Sequence, residues 1–128
     1  MRRAFCALVL ALVAVPSATA ALKPLHVTIT GQSHHPVVGK PWHYAVKVTT
    51  AAGASVACRI HLQMLFSGSP VGEIGIHVVK NGIWQETFPA KGPDAFPPTA
   101  RGEPLVLQAT VTAKGYRTTK AGWSIVVR

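Results

Sequence analysis

Apolar residues alternate with polar ones at every second position from Leu25 onward, and this period constrains the fold more than any other feature of the chain. In the clearest stretch, residues 56–64, one side of the extended chain carries Val56, Cys58, Ile60, Leu62 and Met64. Successive side chains of a β-strand point to opposite faces, so this stretch predicts a strand with one buried face at the centre of the core. No segment keeps a helical period. The pattern therefore predicts an all-β fold.

The alternation divides into seven segments separated by turn residues. The predicted strands begin at residues 25, 42, 56, 74, 83, 105 and 116. Seven strands in about 105 residues fit a sandwich of two sheets. The residues predicted to lead its core are Val27, Ile29, Val46, Ile60, Leu62, Ile76, Leu107, Val111 and Ile125.

Two connections carry specific predictions. Asn81-Gly82 favours the positive φ angles of a tight primed turn, so it predicts a hairpin between the fourth and fifth strands. Residues 89–104 hold five of the ten prolines and predict a long loop that crosses from one sheet to the other.

Three short runs lie at or before predicted strands: VGKP at 38–41, VACRI at 56–60 after an Ala52-Gly53 turn, and GEPL at 102–105. These runs resemble those of bacterial secreted immunoglobulin-like domains. The resemblance extends over nearly all of residues 23–128. The resemblance implies a seven-stranded, two-sheet sandwich and a role in binding, adhesion or spacing. An immunoglobulin-like order pairs the first two strands in one sheet and places the third and fourth at one side of the other. A cysteine pair and a tyrosine corner are missing, so a fibronectin-III-like or other seven-strand order fits as well.

Residues 1–20 have the pattern of a cleavable signal peptide. Arg2 and Arg3 precede an apolar run at 4–15, and Ala-Thr-Ala at 18–20 forms the cleavage pattern of small residues. An apolar run of this length is too short to span a bilayer, and no later segment reaches the roughly 20 residues required. Arg2-Arg3 also resembles part of a twin-arginine export motif, but the long apolar run favours general secretion. We expect a single mature domain at 21–128 without a transmembrane segment, and a location in the cell envelope or outside the cell.

Cleavage changes both the cysteine content and the charge of the chain. It removes Cys6, which leaves Cys58 without an internal partner and predicts that this thiol packs in the core. It also removes Arg2 and Arg3, so the formal net charge falls from +9 to +7. A basic surface predicts an anionic cell-wall polymer or another envelope protein as partner. The basic residues are spread over turns without interleaved aromatics, so no nucleic acid is expected.

Catalytic residues are scarce. The mature chain has four acidic residues, scattered over turns and a loop: Glu73, Glu86, Asp94 and Glu103. No nucleophile elbow and no glycine-rich phosphate loop occur. We therefore expect no enzyme and no cofactor, and predict a binding or structural module.

Histidine supplies the alternative function, because imidazole is the commonest metal ligand in proteins. Alternation places His61 and His77 on outer strand faces, where they would be neighbours. His34 and His35 precede Pro36 in a loop and could act as two flexible ligands. These four histidines are the candidate ligands of a copper or zinc site.

Aromatic residues near the proline-rich loop suggest an interaction surface. Trp84 and Phe88 share one side of the fifth strand with Glu86, so they either form an exposed apolar patch or lie buried beneath the loop. Together with Phe96 and Arg101 in the loop, they form the candidate interaction surface.

Overall fold

The computed structural model describes residues 21–128, and the predicted signal peptide lies outside the described residues. The strands are β1 (Leu25–Gly31), β2 (Trp42–Thr50), β3 (Cys58–Phe66), β4 (Ser69–Val79), β5 (Ile83–Phe88), β6 (Pro104–Thr112) and β7 (Thr119–Val126). A short 3₁₀ turn, Pro98–Ala100, interrupts the connection between β5 and β6. In this part of the chain no helix has the length and hydropathy of a membrane span.

The strands form two antiparallel sheets, one ordered β1-β2-β5 and the other β4-β3-β6-β7. As predicted, the first two strands pair in one sheet, while the third and fourth lie at one side of the other. The constant-type immunoglobulin order instead places the fourth strand beside the fifth. Here β4 and β5 are edge strands of different sheets, and they contact each other at one side of the sandwich.

The core lies between the two sheets and consists of the inward side of the alternating pattern. Of the predicted core residues, seven are buried: Ile29, Val46, Ile60, Leu62, Leu107, Val111 and Ile125. Val27 is partly buried against them. Cys58 is also buried, as its alternation with Ile60 predicts. The prediction for Ile76 is wrong, because its side chain is 48% exposed.

A β-bulge in β4 reverses the facing of its second half. Leu62 of β3 pairs with Gly75, whereas the next residue of β3 pairs with Glu73, so Ile74 is an extra residue in β4. Gly75 adopts a φ of +142°, which suits glycine at such a position. Beyond the bulge, Ile76 points outward and His77 points inward. The outward facing predicted for His77 is therefore wrong.

Asn81-Gly82 does not form the predicted hairpin, because β4 and β5 belong to different sheets. It forms a corner between the sheets instead. The Gly82 carbonyl accepts a hydrogen bond from the Val48 amide at 2.7 Å, and a β-carbon at Gly82 would lie 2.3 Å from the Val48 oxygen. Close contact with β2 and a φ of +71° thus explain the glycine.

The loop at 32–41 covers the free edge of β7. The Val126 amide donates to the His34 carbonyl at 2.9 Å, and the Arg128 amide donates to the Pro36 carbonyl at 2.8 Å. These bonds satisfy backbone groups that an uncovered edge would expose. The β7 side of the sandwich is thereby closed, whereas β4 and β5 flank the other side.

Candidate functional site

A cleft of about 590 Å³ lies beside β4 and β5, beneath the proline-rich segment at 89–103. As predicted, this segment crosses from one sheet to the other, because it joins β5 to β6. The apolar residues that line the cleft include Met64, Phe66, Val71, Phe88, Phe96 and Leu105. The size and apolar lining are typical of sites for small ligands.

Phe96 fastens the proline-rich segment to the core. Its ring packs edge to face on Trp42, with centroids 6.0 Å apart, and on Phe88, with centroids 5.2 Å apart. Phe88 in turn stacks on Trp42 at 5.8 Å and is only 8% exposed. Of the two arrangements considered for Phe88, the structure thus shows burial beneath the loop. Phe96 is partly buried and forms a wall of the cleft.

A chain of hydrogen bonds holds Glu86 at the cleft. The Trp84 indole N–H donates to the Tyr44 hydroxyl at 3.3 Å, and this hydroxyl donates to Glu86 Oε2 at 2.5 Å. Burial raises the pKa of Tyr44, and the hydrogen bond to Glu86 raises it further. Tyr44 therefore remains a phenol and a donor, which fixes the carboxylate on the inward face of β5.

All four acidic residues of the described chain line this cleft: Glu73, Glu86, Asp94 and Glu103. The Glu73 carboxylate turns to the outer face of β4, where it bonds to His61 and, at 3.1 Å, to Gln63 Nε2. Both hydrogen bonds lower the pKa of Glu73. No lysine, arginine or histidine of the described chain lines the cleft. It is thus a local concentration of negative charge on a basic domain.

The loop histidines hold the 32–41 loop against β7. His34 Nδ1 lies 2.7 Å from the Ser124 carbonyl oxygen, and His35 Nδ1 lies 3.2 Å from that of Val126. A carbonyl oxygen only accepts, so each Nδ1 carries the proton in these bonds. The His34 ring also stacks on Trp123, with centroids 4.0 Å apart. These contacts give both side chains a structural role.

The strand histidines do not form the predicted pair. His61 bonds to Glu73 on the outer face, whereas His77 faces inward and stacks on Trp84 with centroids 3.6 Å apart. His77 Nε2 is buried without a hydrogen-bond partner. Between residues 21 and 128, no three His, Cys, Asp or Glu side chains are grouped to hold a metal ion.

The predicted interaction surface divides in the structure. Phe88 and Phe96 line the cleft, whereas Trp84 lies against His77 and Tyr44, outside the lining. Arg101 is exposed at the end of the proline-rich segment and does not line the cleft. The prediction thus included one wall of the cleft.

The remaining wall of the cleft and its acidic residues were not predicted from the sequence. Phe66 and Val71 come from β3 and β4, and Glu103 precedes β6, so no local pattern connects them. One signal was available for Glu86, because alternation places it on the same face as Trp84 and Phe88. An acidic residue on the apolar face of a strand suggests a polar partner or a site.

Comparison with known proteins adds information on the fold. No protein-family model and no curated protein matches the chain in sequence. The CARDB domain of a Pyrococcus furiosus protein, solved in complex with di-metal ions, matches in structure with a TM-score of 0.55 and 16% identity. The match covers 83% of this chain and 94% of that one. It supports the two-sheet β-sandwich as the fold.

Two further solved structures have lower scores. A domain of the outer membrane lipoprotein Omp28 from Porphyromonas gingivalis has a TM-score of 0.48 and 10% identity over 81% of this chain and 89% of that one. The sporulation control protein Spo0M from Bacillus subtilis has a TM-score of 0.46 and 14% identity over 80% of this chain and 49% of that one.

Proposed function

We propose that the protein is a non-catalytic module that works outside the cytoplasm and binds a small ligand in the cleft beneath the proline-rich segment. The observation that carries this proposal is the cleft itself, which has about 590 Å³ of space, aromatic side chains and a fixed carboxylate. Ligand sites of small molecules combine such an apolar lining with a few placed polar groups. The signal-peptide pattern at 1–20 supports the extracytoplasmic location.

A non-catalytic role agrees with the side chains at the cleft. The described residues that line it provide carboxylates and the Thr99 hydroxyl but no histidine, cysteine or lysine. Carboxylates can act as general bases, but the hydrogen bonds of Glu86 and Glu73 go to Tyr44, His61 and Gln63, and no described carboxylate bonds to the Thr99 hydroxyl as a base beside a nucleophile would. We do not propose a di-metal site like that of the Pyrococcus domain for this chain. The histidines of this chain lie on different surfaces of the sandwich.

Binding of a neutral apolar dye tests the proposal. We expect N-phenyl-1-naphthylamine to gain fluorescence with the purified protein and to bind with a Kd of order 10 μM, which corresponds to about −7 kcal/mol. Phe66→Ala removes an apolar wall, so it should weaken binding about five- to tenfold. Ile83→Ala is the matched control, because Ile83 is similarly exposed, at 43% against 38% for Phe66, and does not line the cleft. Absence of dye binding, or equal effects of both variants, would overturn the cleft as the site.

The basic surface supports a second contact, with an anionic cell-wall polymer. All eleven lysines and arginines after residue 20 are exposed, and none of them pairs with an acidic residue in the described part of the chain. Pull-down on isolated cell-wall fractions across a salt series tests this contact. Binding should be strong at low salt and decline as the Debye length shortens to about 8 Å at physiological ionic strength. Failure to bind at low salt would remove this contact without affecting the cleft.

A further inference from the structure

The acidic residues of the domain are concentrated at the cleft, whereas its basic residues lie outside the cleft lining. The described chain has eleven basic and four acidic residues, yet all four acidic residues and none of the basic ones line the cleft. The Glu73 carboxylate turns to the outer face, so Glu86, Asp94 and Glu103 provide the charge of the cleft. We propose that the ligand of the cleft is an organic cation, with an apolar body that contacts the aromatic wall and an amine or guanidine group that contacts Glu86. This inference rests on the cleft being the binding site.

Glu86 is placed to bind such a group. Tyr44 occupies Oε2, while Oε1 makes no hydrogen bond to another described residue. The carboxylate is partly buried and adjoins the ring of Phe88 along β5, so the charged and apolar parts of one ligand would contact neighbouring side chains. Hydrogen bonds between charged groups are about twice as strong as neutral ones, and partial burial strengthens them.

Local charge at the cleft outweighs the net charge of the domain. Asp94 and Glu103 are exposed on its lining and add to the negative potential near Glu86. Charges farther away than about 10 Å are largely screened at 0.1 M salt. Two basic residues of the proline-rich segment, Lys91 and Arg101, are also near, but both are exposed to solvent and outside the lining, whereas Glu86 is partly buried and less screened. A bound cation would therefore be attracted mainly by Glu86, and an anion would be repelled by it. Aromatic faces such as that of Phe96 provide additional attraction for a cation.

Three probes with one apolar body and different head groups test the charge preference. These are 4-phenylbutylamine, which is cationic at pH 7, the neutral 4-phenylbutanol and the anionic 4-phenylbutanoate. Affinities come from displacement of the neutral dye, with calorimetry as a check. The amine should bind about tenfold more tightly than the alcohol, as expected for a hydrogen bond to a partly buried charged group. The anion should bind more weakly than both, and added NaCl should reduce the advantage of the amine.

Single charge-neutralising variants locate the preference. Glu86→Gln retains an acceptor for Tyr44 and should reduce amine affinity about tenfold while leaving alcohol affinity unchanged. Glu103→Gln should reduce amine affinity only about twofold, because Glu103 is exposed and its charge is screened by solvent. Glu73→Gln makes the same charge change at a lining residue whose carboxylate turns to His61 and Gln63 on the outer face, so it compares carboxylate position at equal net charge. It should change amine affinity less than Glu86→Gln does.

The outcomes separate this inference from the proposed function. A tenfold preference for the amine that Glu86→Gln abolishes supports the inference. Equal binding of amine and alcohol, with both weakened by Phe66→Ala, would overturn the cation preference and leave the cleft as an apolar site. An amine preference that Glu86→Gln does not reduce would also overturn it. If none of the probes binds and the dye fails as well, the proposed site itself is wrong.

Discussion

Replacement of Phe96 by alanine should detach the proline-rich segment from the sandwich. Phe96 is the aromatic side chain of this segment, and its ring contacts both Trp42 and Phe88. Without the ring, the segment retains fewer apolar contacts with the core. The wall that it provides for the cleft should then become mobile.

The magnitude follows from burial and ring geometry. Replacement of a fully buried phenylalanine by alanine lowers the free energy of unfolding by about 3–5 kcal/mol. Because the Phe96 ring is partly buried, we expect roughly half of this loss from burial. The interplanar angles of 78° and 71° are favourable edge-to-face arrangements, each of which adds roughly 0.5–1.5 kcal/mol. Together these contributions give an expected loss of about 3–5 kcal/mol in the free energy of unfolding, which lowers the Tm by roughly 12–25 °C for a domain of this size.

Guanidinium unfolding followed by tryptophan fluorescence measures this loss. Phe96→Leu is the conservative control and should lose only about 1 kcal/mol, since it retains most apolar contacts but not the edge-to-face pairs. Phe66→Ala also removes a phenyl ring from the cleft. Because this ring is 38% exposed, its removal should lower the free energy of unfolding less than Phe96→Ala does. A loss below about 0.5 kcal/mol for Phe96→Ala would refute the role of this ring in holding the segment.

Three other substitutions or treatments have defined outcomes. Gly82→Ala should destabilise the domain by more than about 2 kcal/mol in guanidinium unfolding, because its β-carbon would collide with the Val48 oxygen; a loss below about 1 kcal/mol would contradict the corner geometry. The hydrogen bonds to Gln63 and His61 lower the pKa of Glu73, so they should stabilise the fold above the ordinary pKa near 4.5 and lose this effect as pH falls further. The stability difference between wild type and Glu73→Gln should therefore vanish in acid, and a difference that grows below pH 4 would contradict this. Burial raises the pKa of the Cys58 thiol, so labelling in native buffer should be slow until the protein unfolds, and rapid native labelling would exclude core packing.

Local patterns in the sequence predict most of the fold, because alternation reports directly on which face of a strand is buried. Trp42, Tyr44, Val46 and Val48 alternate over β2, and all four are buried. The same pattern identifies β3 as a central strand, which the structure confirms by pairing it with both β4 and β6. The crossing of the proline-rich segment also follows from its composition.

The errors arise where tertiary contacts override a local signal. The bulge at Ile74 shifts β4 by one residue, and a one-residue shift moves every later side chain to the other face. Gly75 within an apolar strand pattern is a sign of such a bulge. Asn81-Gly82 is a common hairpin sequence, but here Gly82 adopts a positive φ while Asn81 does not, and the sheet to which β5 belongs depends on its pairing with β2.

The cleft lies beyond prediction from local patterns for a related reason. Glu86, Asp94 and Glu103 come from a strand, a loop and the entrance to another strand. Their proximity results from the path of the proline-rich segment over the sandwich, which the contact between Phe96 and the core determines. Only the three-dimensional structure shows that the few acidic residues of this basic domain share one site.

Mapping of a bound ligand by NMR tests the central claim most directly. Titration of the isotope-labelled protein with 4-phenylbutylamine should shift the backbone amides of Phe66, Glu86 and Phe96 more than any others, since these residues line the cleft. The amides near His34 and Trp123, at the closed side of the sandwich, should remain unchanged. Shifts centred on that closed side, or spread evenly over the domain, would contradict the assignment of the cleft as the binding site.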